Sequence, residues 1–306
     1  MALLRRTVSA ILILGTVGVV MFVLPSAVAV AVLLAMAVLG MVEFYAILRN
    51  ANIPSFRILG IVSGVVLLAA TYGSLNVQAY VDGRPAEMWR EVPLLVMSLI
   101  IFTVFVRQFP QKNNPQPLPT ISCTMLGMVY VPFLLMFLFF LAFRWTPTSP
   151  LQRLSPTACW LILYLVAIVK ASDIGAYFVG SLIGRHKLFP RISPGKTWEG
   201  LAGGLATGIL ASILFARLAP SSASAPEAVA FGRLVLRPAN VWFLGAFLAA
   251  VGVLGDLVES LLKRSAGMKN SGRLFPGMGG ILDVLDSLLF AAPALYFYLR
   301  WFAHVV

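Results

Sequence analysis

The sequence predicts an all-α fold, a polytopic transmembrane helical bundle of about nine spans with its chemistry in the C-terminal spans. Three observations carry this. Apolar residues make up 60% of the chain and charged residues 11%, far below the quarter or so that a water-exposed surface draws on. The apolar residues fall in runs long enough to cross about 30 Å of hydrocarbon, roughly 20 residues each. The basic residues behind the net charge of +12 sit mainly between those runs. In a soluble protein that charge would point to nucleic acid. Here membrane topology and phosphate-bearing ligands account for it, and no nucleic-acid partner is expected.

The first run, 7–24, follows Arg5 and Arg6 and precedes Ala27-Val28-Ala29, a pattern close to a cleavable signal peptide. Apolar sequence continues to about Leu48 with no polar domain behind it. A tight helical hairpin turning near Pro25-Ser26 is therefore expected, with the first span retained. Spans at 26–48, 58–78, 92–107 and 120–143 complete an N-terminal transmembrane region over 1–150. The C-terminal region, 151–306, holds spans at 157–183, 200–217, 241–263 and 281–303. The 157–183 run is long and carries Lys170 and Asp173, so a kink, a tilt or a break is expected there. All these runs are too long and too uniformly apolar for barrel strands, and helices satisfy every backbone group in lipid. Cys123 and Cys159 lie within apolar runs without metal-ligand spacing and read as packing residues. His186 and His304 are too few and too scattered for a zinc site.

Loop charges set the orientation. With the N-terminus in the cytoplasm, fourteen of the 23 basic residues fall on the cytoplasmic side, eight fall outside, and Lys170 lies within a span. That follows the positive-inside rule, although the external loop at 217–240 carries three arginines.

Six of the eleven acidic residues lie in or at the edges of spans: Glu43, Asp173, Asp256, Glu259, Asp283 and Asp286. An ionised carboxylate in hydrocarbon costs several kcal/mol, so each needs a cation, a hydrogen bond or a water-filled cavity. Glu43 alone reads as a buried ion pair or an interfacial residue. The C-terminal group reads differently. Asp283 and Asp286 are three apart and share a helical face, Asp256 and Glu259 repeat that spacing on the preceding span, and Lys263 extends the stripe by one turn. Two antiparallel helices would bring up to four hard oxygen donors toward one cytoplasmic connection, which suits Mg²⁺.

That connection reads Lys263-Arg264, Lys269-Asn270-Ser271-Gly272-Arg273, then Pro276-Gly277-Met278-Gly279-Gly280. The cations would neutralise polyphosphate oxygens, and the glycines would let backbone N–H groups approach. The turn ends where a helix begins, and a helix N-terminus favours anions. A second basic segment on the same side contains Ser193-Pro194-Gly195-Lys196-Thr197. Its Gly-Lys-Thr is no P-loop, because Pro190 stands where the first glycine belongs and no strand is expected before it. Ser193, Lys196 and Thr197 remain candidate phosphate donors at a helix start.

Ser260, Leu262, Lys263, Arg264, Lys269, Gly272, Phe275, Pro276, Gly279, Gly280, Ile281, Asp283, Leu285 and Asp286 together resemble the long signature of the phosphatidate cytidylyltransferases, the CDP-diacylglycerol synthases. Gly255-Asp256, Glu259, Asp173 with Ala176-Tyr177, and Ser193 through Gly200 also look like that family, so the likeness is strong over about 160–300. Three positions depart from it: Asn270 replaces an aspartate, Met278 a histidine and Val284 an arginine.

The resemblance implies a nucleotidyltransferase in phospholipid biosynthesis. A phosphatidate oxygen would attack the α-phosphorus of CTP and expel pyrophosphate. It implies Asp256, Asp283 and Asp286 as ligands of Mg²⁺, with or without a second cation, and Lys263 beside them in the catalytic group. Ser193, Lys196, Thr197, Arg264, Lys269, Arg273 and Asp173 would bind substrate. A homodimer in a bacterial-type inner membrane, with the site facing the cytoplasm, is implied as well. The rival readings are a CTP-dependent enzyme on an isoprenoid lipid, a CDP-archaeol synthase or a polyprenol kinase, and an ion-coupled transporter.

Overall fold

A computed structural model describes residues 15–80, 87–145, 149–218, 229–231, 234–236, 238–272, 274–275 and 279–305. Eight of its helices are long and apolar enough to cross a membrane, so the protein is a multi-pass integral membrane protein. Residues 15–22 are also helical; the rest of the span expected at 7–24 lies outside the described residues, as do Arg5 and Arg6. The chain divides into two compact units, residues 1–154 with 262–284, and residues 155–261 with 285–306.

The first unit contains α1 (Ser26–Asn50), α2 (Arg57–Tyr80), α3 (Glu87–Gln108), α4 (Pro117–Met128) and α5 (Leu134–Phe143). The turn expected at Pro25-Ser26 is present. It is held by Ser26 N–H on the Gln152 carbonyl (2.7 Å) and Ala27 N–H on that of Pro150 (3.1 Å), which occupy donors that a helix start leaves unpaired. Between α4 and α5, Val129–Phe133 forms one π-helical stretch around Pro132. Proline supplies no N–H and displaces the carbonyl one turn back, so the ladder widens there. The core sets Met41, Phe44 and Tyr45 of α1 against this bent span, and Tyr45 donates to the Thr124 carbonyl at 2.9 Å. Gly60 and Gly127 make room for the Tyr45 ring.

The second unit opens with α6 (Pro156–Ile183), started by Ser155, whose hydroxyl accepts from Ala158 N–H at 3.2 Å. It is one helix over its whole length, so of the kink, tilt or break expected near Asp173 the break does not occur. A connection with two short strands, β1 (Lys187–Phe189) and β2 (Ser193–Thr197), leads to α7 (Trp198–Leu218). The strands pair antiparallel. They correct the expectation that no strand precedes Pro190: runs of three and five residues, Lys-Leu-Phe and Ser-Pro-Gly-Lys-Thr, carry too little alternation to announce themselves.

Glycines bring α6 and α7 into backbone contact. A Cβ on Gly175 would strike Thr207, one on Gly203 would strike Val179, and one on Gly204 would lie 3.0 Å from the Ser172 carbonyl oxygen. Small residues are what permit such approach in lipid, where no hydrophobic drive presses helices together. Then β3 (Val229–Phe231) and β4 (Leu234–Leu236) pair with β5 (His304–Val305) in a small antiparallel sheet. The last two long helices, α8 (Pro238–Ser265) and α9 (Ile281–Phe302), each contribute residues to both units.

Candidate functional site

In the second unit α8 and α9 approach through Gly255. A Cβ there would fall 2.5 Å from the Asp286 carbonyl oxygen and 3.0 Å from Ser287 Cα. The residue beside this glycine, Asp256, and the one a turn later, Glu259, therefore come against Asp286. One oxygen from each of the three carboxylates lies within 4.8 Å of the others. Glu259 is fully enclosed and Asp286 is 7% exposed, while the Asp256 side chain remains a third exposed. From β2, Lys196 pairs with Asp256 at 2.8 Å and donates to the Val253 carbonyl at 3.3 Å. Ser260 donates to the other Asp256 oxygen at 3.3 Å. On α6, Lys170 and Asp173 form a half-exposed pair at 3.3 Å.

Three carboxylates this close and this dry repel one another, and a cation or shared protons must offset the cost. The donor set is all hard oxygen, partly open at Asp256. It fits a divalent cation that takes a few carboxylates and completes its shell with water or phosphate. This buried acidic cluster can hold a metal.

The first unit holds a second constellation, built on the connection after α8. That helix ends in a Schellman motif. Gly267 takes a left-handed φ of 66°, Met268 N–H bonds the Lys263 carbonyl at 2.8 Å, and Gly267 N–H bonds that of Arg264 at 3.0 Å. Asn50 of α1 donates to the Ala266 carbonyl at 2.7 Å. Lys263 meets Asp283 at 2.5 Å, and both are nearly buried. Asp283 also accepts from Ser271 N–H (3.0 Å), Ser271 Oγ (2.8 Å) and Gly280 N–H (2.7 Å). Glu43 reaches in from α1 and accepts from Ile281 N–H (3.0 Å), Leu282 N–H (2.9 Å) and Ser271 Oγ (2.8 Å). Phe275 and Gly279 exchange backbone hydrogen bonds, closing a small loop before α9.

Comparison with known proteins gives this chemistry a lineage. The sequence pattern of the cytidylyltransferase family matches residues 4–302, nearly the whole chain. The chain belongs to the cytidylyltransferase family. It is 42% identical over 140 residues to a phosphatidate cytidylyltransferase of Haemophilus influenzae, covering 45% of this chain and 46% of that one. It is 42% identical over 142 residues to one of Bacillus subtilis, covering 46% and 48%. For one of Brucella suis the figure is 39% over 168 residues, covering 54% and 56%. The chain thus spans about half the length of the curated relatives it matches.

Within this member of the family, the residues singled out from sequence take different places. Asp256 and Asp286 stand together, joined by Glu259, and Lys196 pairs with the first. Asp283 stands with Lys263 in the other unit. Thr197 is buried, and its hydroxyl accepts Gly200 N–H at 3.0 Å, which makes it the N-cap of α7. Ser193 opens β2, opposite Phe189. Arg264 and Lys269 are exposed at the connection, as is Asn270. Arg273 and Met278 lie outside the described residues.

Two participants were harder to read. Glu199, on the first turn of α7, accepts from the N–H groups of Arg185 and His186 and lies 2.6 Å from His186 Nδ1, fastening the basic segment to its helix. Of the two readings of Glu43, a buried ion pair or an interfacial position, the ion pair is not found among the described residues: its donors there are two backbone N–H groups and a serine hydroxyl. A lone carboxylate inside an otherwise apolar span was the available signal.

Proposed function

We propose that this protein transfers the cytidylyl group of CTP to phosphatidate, giving CDP-diacylglycerol and pyrophosphate. The observation that carries the reading is the Asp256–Glu259–Asp286 cluster with Lys196 beside it, in a member of the cytidylyltransferase family. A non-bridging oxygen of the phosphatidate phosphate forms a bond to the α-phosphorus of CTP, and the bond from that phosphorus to the β-phosphate oxygen breaks. The phosphate monoester is already nucleophilic, so positioning and charge neutralisation make up most of the catalysis.

Asp256, Glu259 and Asp286 would hold Mg²⁺, which would supply neutralisation of phosphate charge and orientation of the leaving group. Lys196, Lys263, Arg264 and Lys269 bind phosphates. Asp283 keeps Lys263 in place, and Asp173 with Lys170 lines the polar part of α6. The acyl chains stay in the bilayer while the headgroup meets CTP on the cytoplasmic face of the inner membrane, where the positive-inside count puts residues 263–280. The resemblance supports a homodimer.

Incubation of purified protein with labelled CTP and phosphatidate, with and without Mg²⁺, tests the reading. CDP-diacylglycerol and pyrophosphate are expected in equal amounts, and only with the metal. Turnover of an isoprenoid phosphate or a polyprenol, with phosphatidate inert, would replace the substrate. Absence of any CTP consumption would remove the enzyme reading altogether.

A further inference from the structure

We infer that Glu43, on a helix far upstream in sequence, is a positioning residue for the transfer reaction: it fixes the 271–283 segment that carries Asp283. The role rests on the transfer reading above. A carboxylate within a membrane helix normally finds a cation, because neutral surroundings repay too little of its lost hydration. Among the described residues the donors on Glu43 are neutral, and all three belong to one segment. Two of them, Ile281 and Leu282 N–H, are first-turn donors of α9 that no intrahelical carbonyl can take. The positive end of the helix dipole supplies the rest of the attraction.

The segment is shaped to the carboxylate. A Cβ on Gly272 or on Gly280 would collide with the Glu43 carboxylate oxygens, so both glycines leave room for this one side chain. Ser271 Oγ lies 2.8 Å from Glu43 and 2.8 Å from Asp283. A hydroxyl has a single hydrogen and can donate to only one of them at an instant, so the two carboxylates are coupled through Ser271. Asp283 in turn holds Lys263. Glu43 thus sets the start of α9, the serine and, through Asp283, the lysine that would face phosphate.

The test uses the full chain, purified in nanodiscs. Glu43→Gln keeps the shape but puts an amide NH₂ where one oxygen received hydrogen bonds. Amide exchange over 271–283 should speed up at least about tenfold while exchange in α6 and α7 stays at the wild-type rate. Losing a charge-assisted hydrogen bond at this anchor should lower kcat about 10- to 100-fold, with KM for phosphatidate within about twofold. Gly280→Ala, which displaces the carboxylate from the other side, should reproduce both effects, and the double variant should be no worse than the poorer single one. Ser271→Ala removes one donor and adds no bulk; it carries the same two readouts, with a few-fold fall in kcat, if Glu43→Gln does not give folded protein.

Wild-type exchange and wild-type kcat in Glu43→Gln would overturn the role, as would a lower melting temperature with kcat unchanged. A wild-type protein without turnover on phosphatidate would instead sink the transfer reading. The two failures are told apart by that control alone.

Discussion

Asp283 and Asp286 sit three residues apart on one helix, yet their surroundings are opposite in kind. Asp283 is enclosed by donors: an ammonium, a hydroxyl and two backbone N–H groups. Asp286 accepts from the N–H of its neighbour Ser287 and has two other carboxylates, Asp256 and Glu259, against it. A three-residue step turns a side chain by about 60° from eclipsing and lifts it about 4.5 Å, which is enough to reach different neighbours. The difference teaches that a carboxylate already surrounded by donors serves structure and orientation. One set against other carboxylates calls for positive charge, of which Lys196 supplies a part.

Breaking the donor-rich side should have the largest effect on stability. Asp283→Ala breaks the nearly buried pair with Lys263 and takes the acceptor from Ser271 and the Gly280 N–H; it is expected to cost about 3–5 kcal/mol, seen as a large fall in melting temperature in detergent. Adding Lys263→Met should recover only part of it, since the donors on Ser271 and Gly280 still lack their acceptor. If Asp283→Asn melts normally but loses its response to Mg²⁺, Asp283 is a metal ligand, and the contrast between the two aspartates collapses.

The acceptor-rich side should fail in the opposite way. Asp256→Asn and Asp286→Asn are each expected to lower turnover about 10²–10³-fold, the usual loss for one direct electrostatic contact in the transition state. Without divalent cation Asp286→Asn should melt at or above the wild-type temperature, because neutralising one of three crowded carboxylates relieves repulsion; in Asp256→Asn the lost pair with Lys196 offsets that gain. A lower melting temperature in Asp286→Asn would mean that the cluster is a structural ion network.

Two smaller effects sharpen the picture. Gly255→Ala forces a methyl group against the Asp286 carbonyl and should cost about 1–3 kcal/mol, as overpacking does. It should also weaken the stabilisation that Mg²⁺ gives in a thermal titration. Thr197→Ala removes the cap of α7 and should cost about 1 kcal/mol, with Thr197→Ser close to wild type. A turnover loss in Thr197→Ala well beyond that would return this hydroxyl to the phosphate-binding group.

Much of this was visible in the chain before any coordinates. Runs of some 20 apolar residues left no fold but a helical membrane bundle. The spacing of Asp256, Glu259, Lys263, Asp283 and Asp286 pointed to α8 and α9 as the helices on which carboxylates would gather, and Asp256, Glu259 and Asp286 do. What stayed hidden depends on contacts distant in sequence. Which of four carboxylates group together is decided by the close crossing at Gly255, and a periodicity argument does not see crossings. Glu43 looked isolated because its donors are main-chain groups, which every residue possesses and no composition reveals. The β1–β2 pair and the π-helical stretch at Val129–Phe133 are shorter than the windows over which hydrophobic periodicity can be counted.

The ion pair of Lys196 with Asp256 also has a consequence for how the protein is made. Chains emerge from the ribosome N-terminus first, and early segments can settle before later ones exist. Lys196 sits on the link between α6 and α7, a helix pair that its own glycine contacts can hold together. Asp256 is synthesised afterwards, on α8, so it can enter the bilayer toward a cation that is already in place. Lys263 likewise precedes Asp283. Glu43 is the exception: it is inserted with α1, long before Ile281 and Leu282 arrive to receive it. Among the described acidic residues in or at the edges of spans, it spends the longest stretch of synthesis without its final donors.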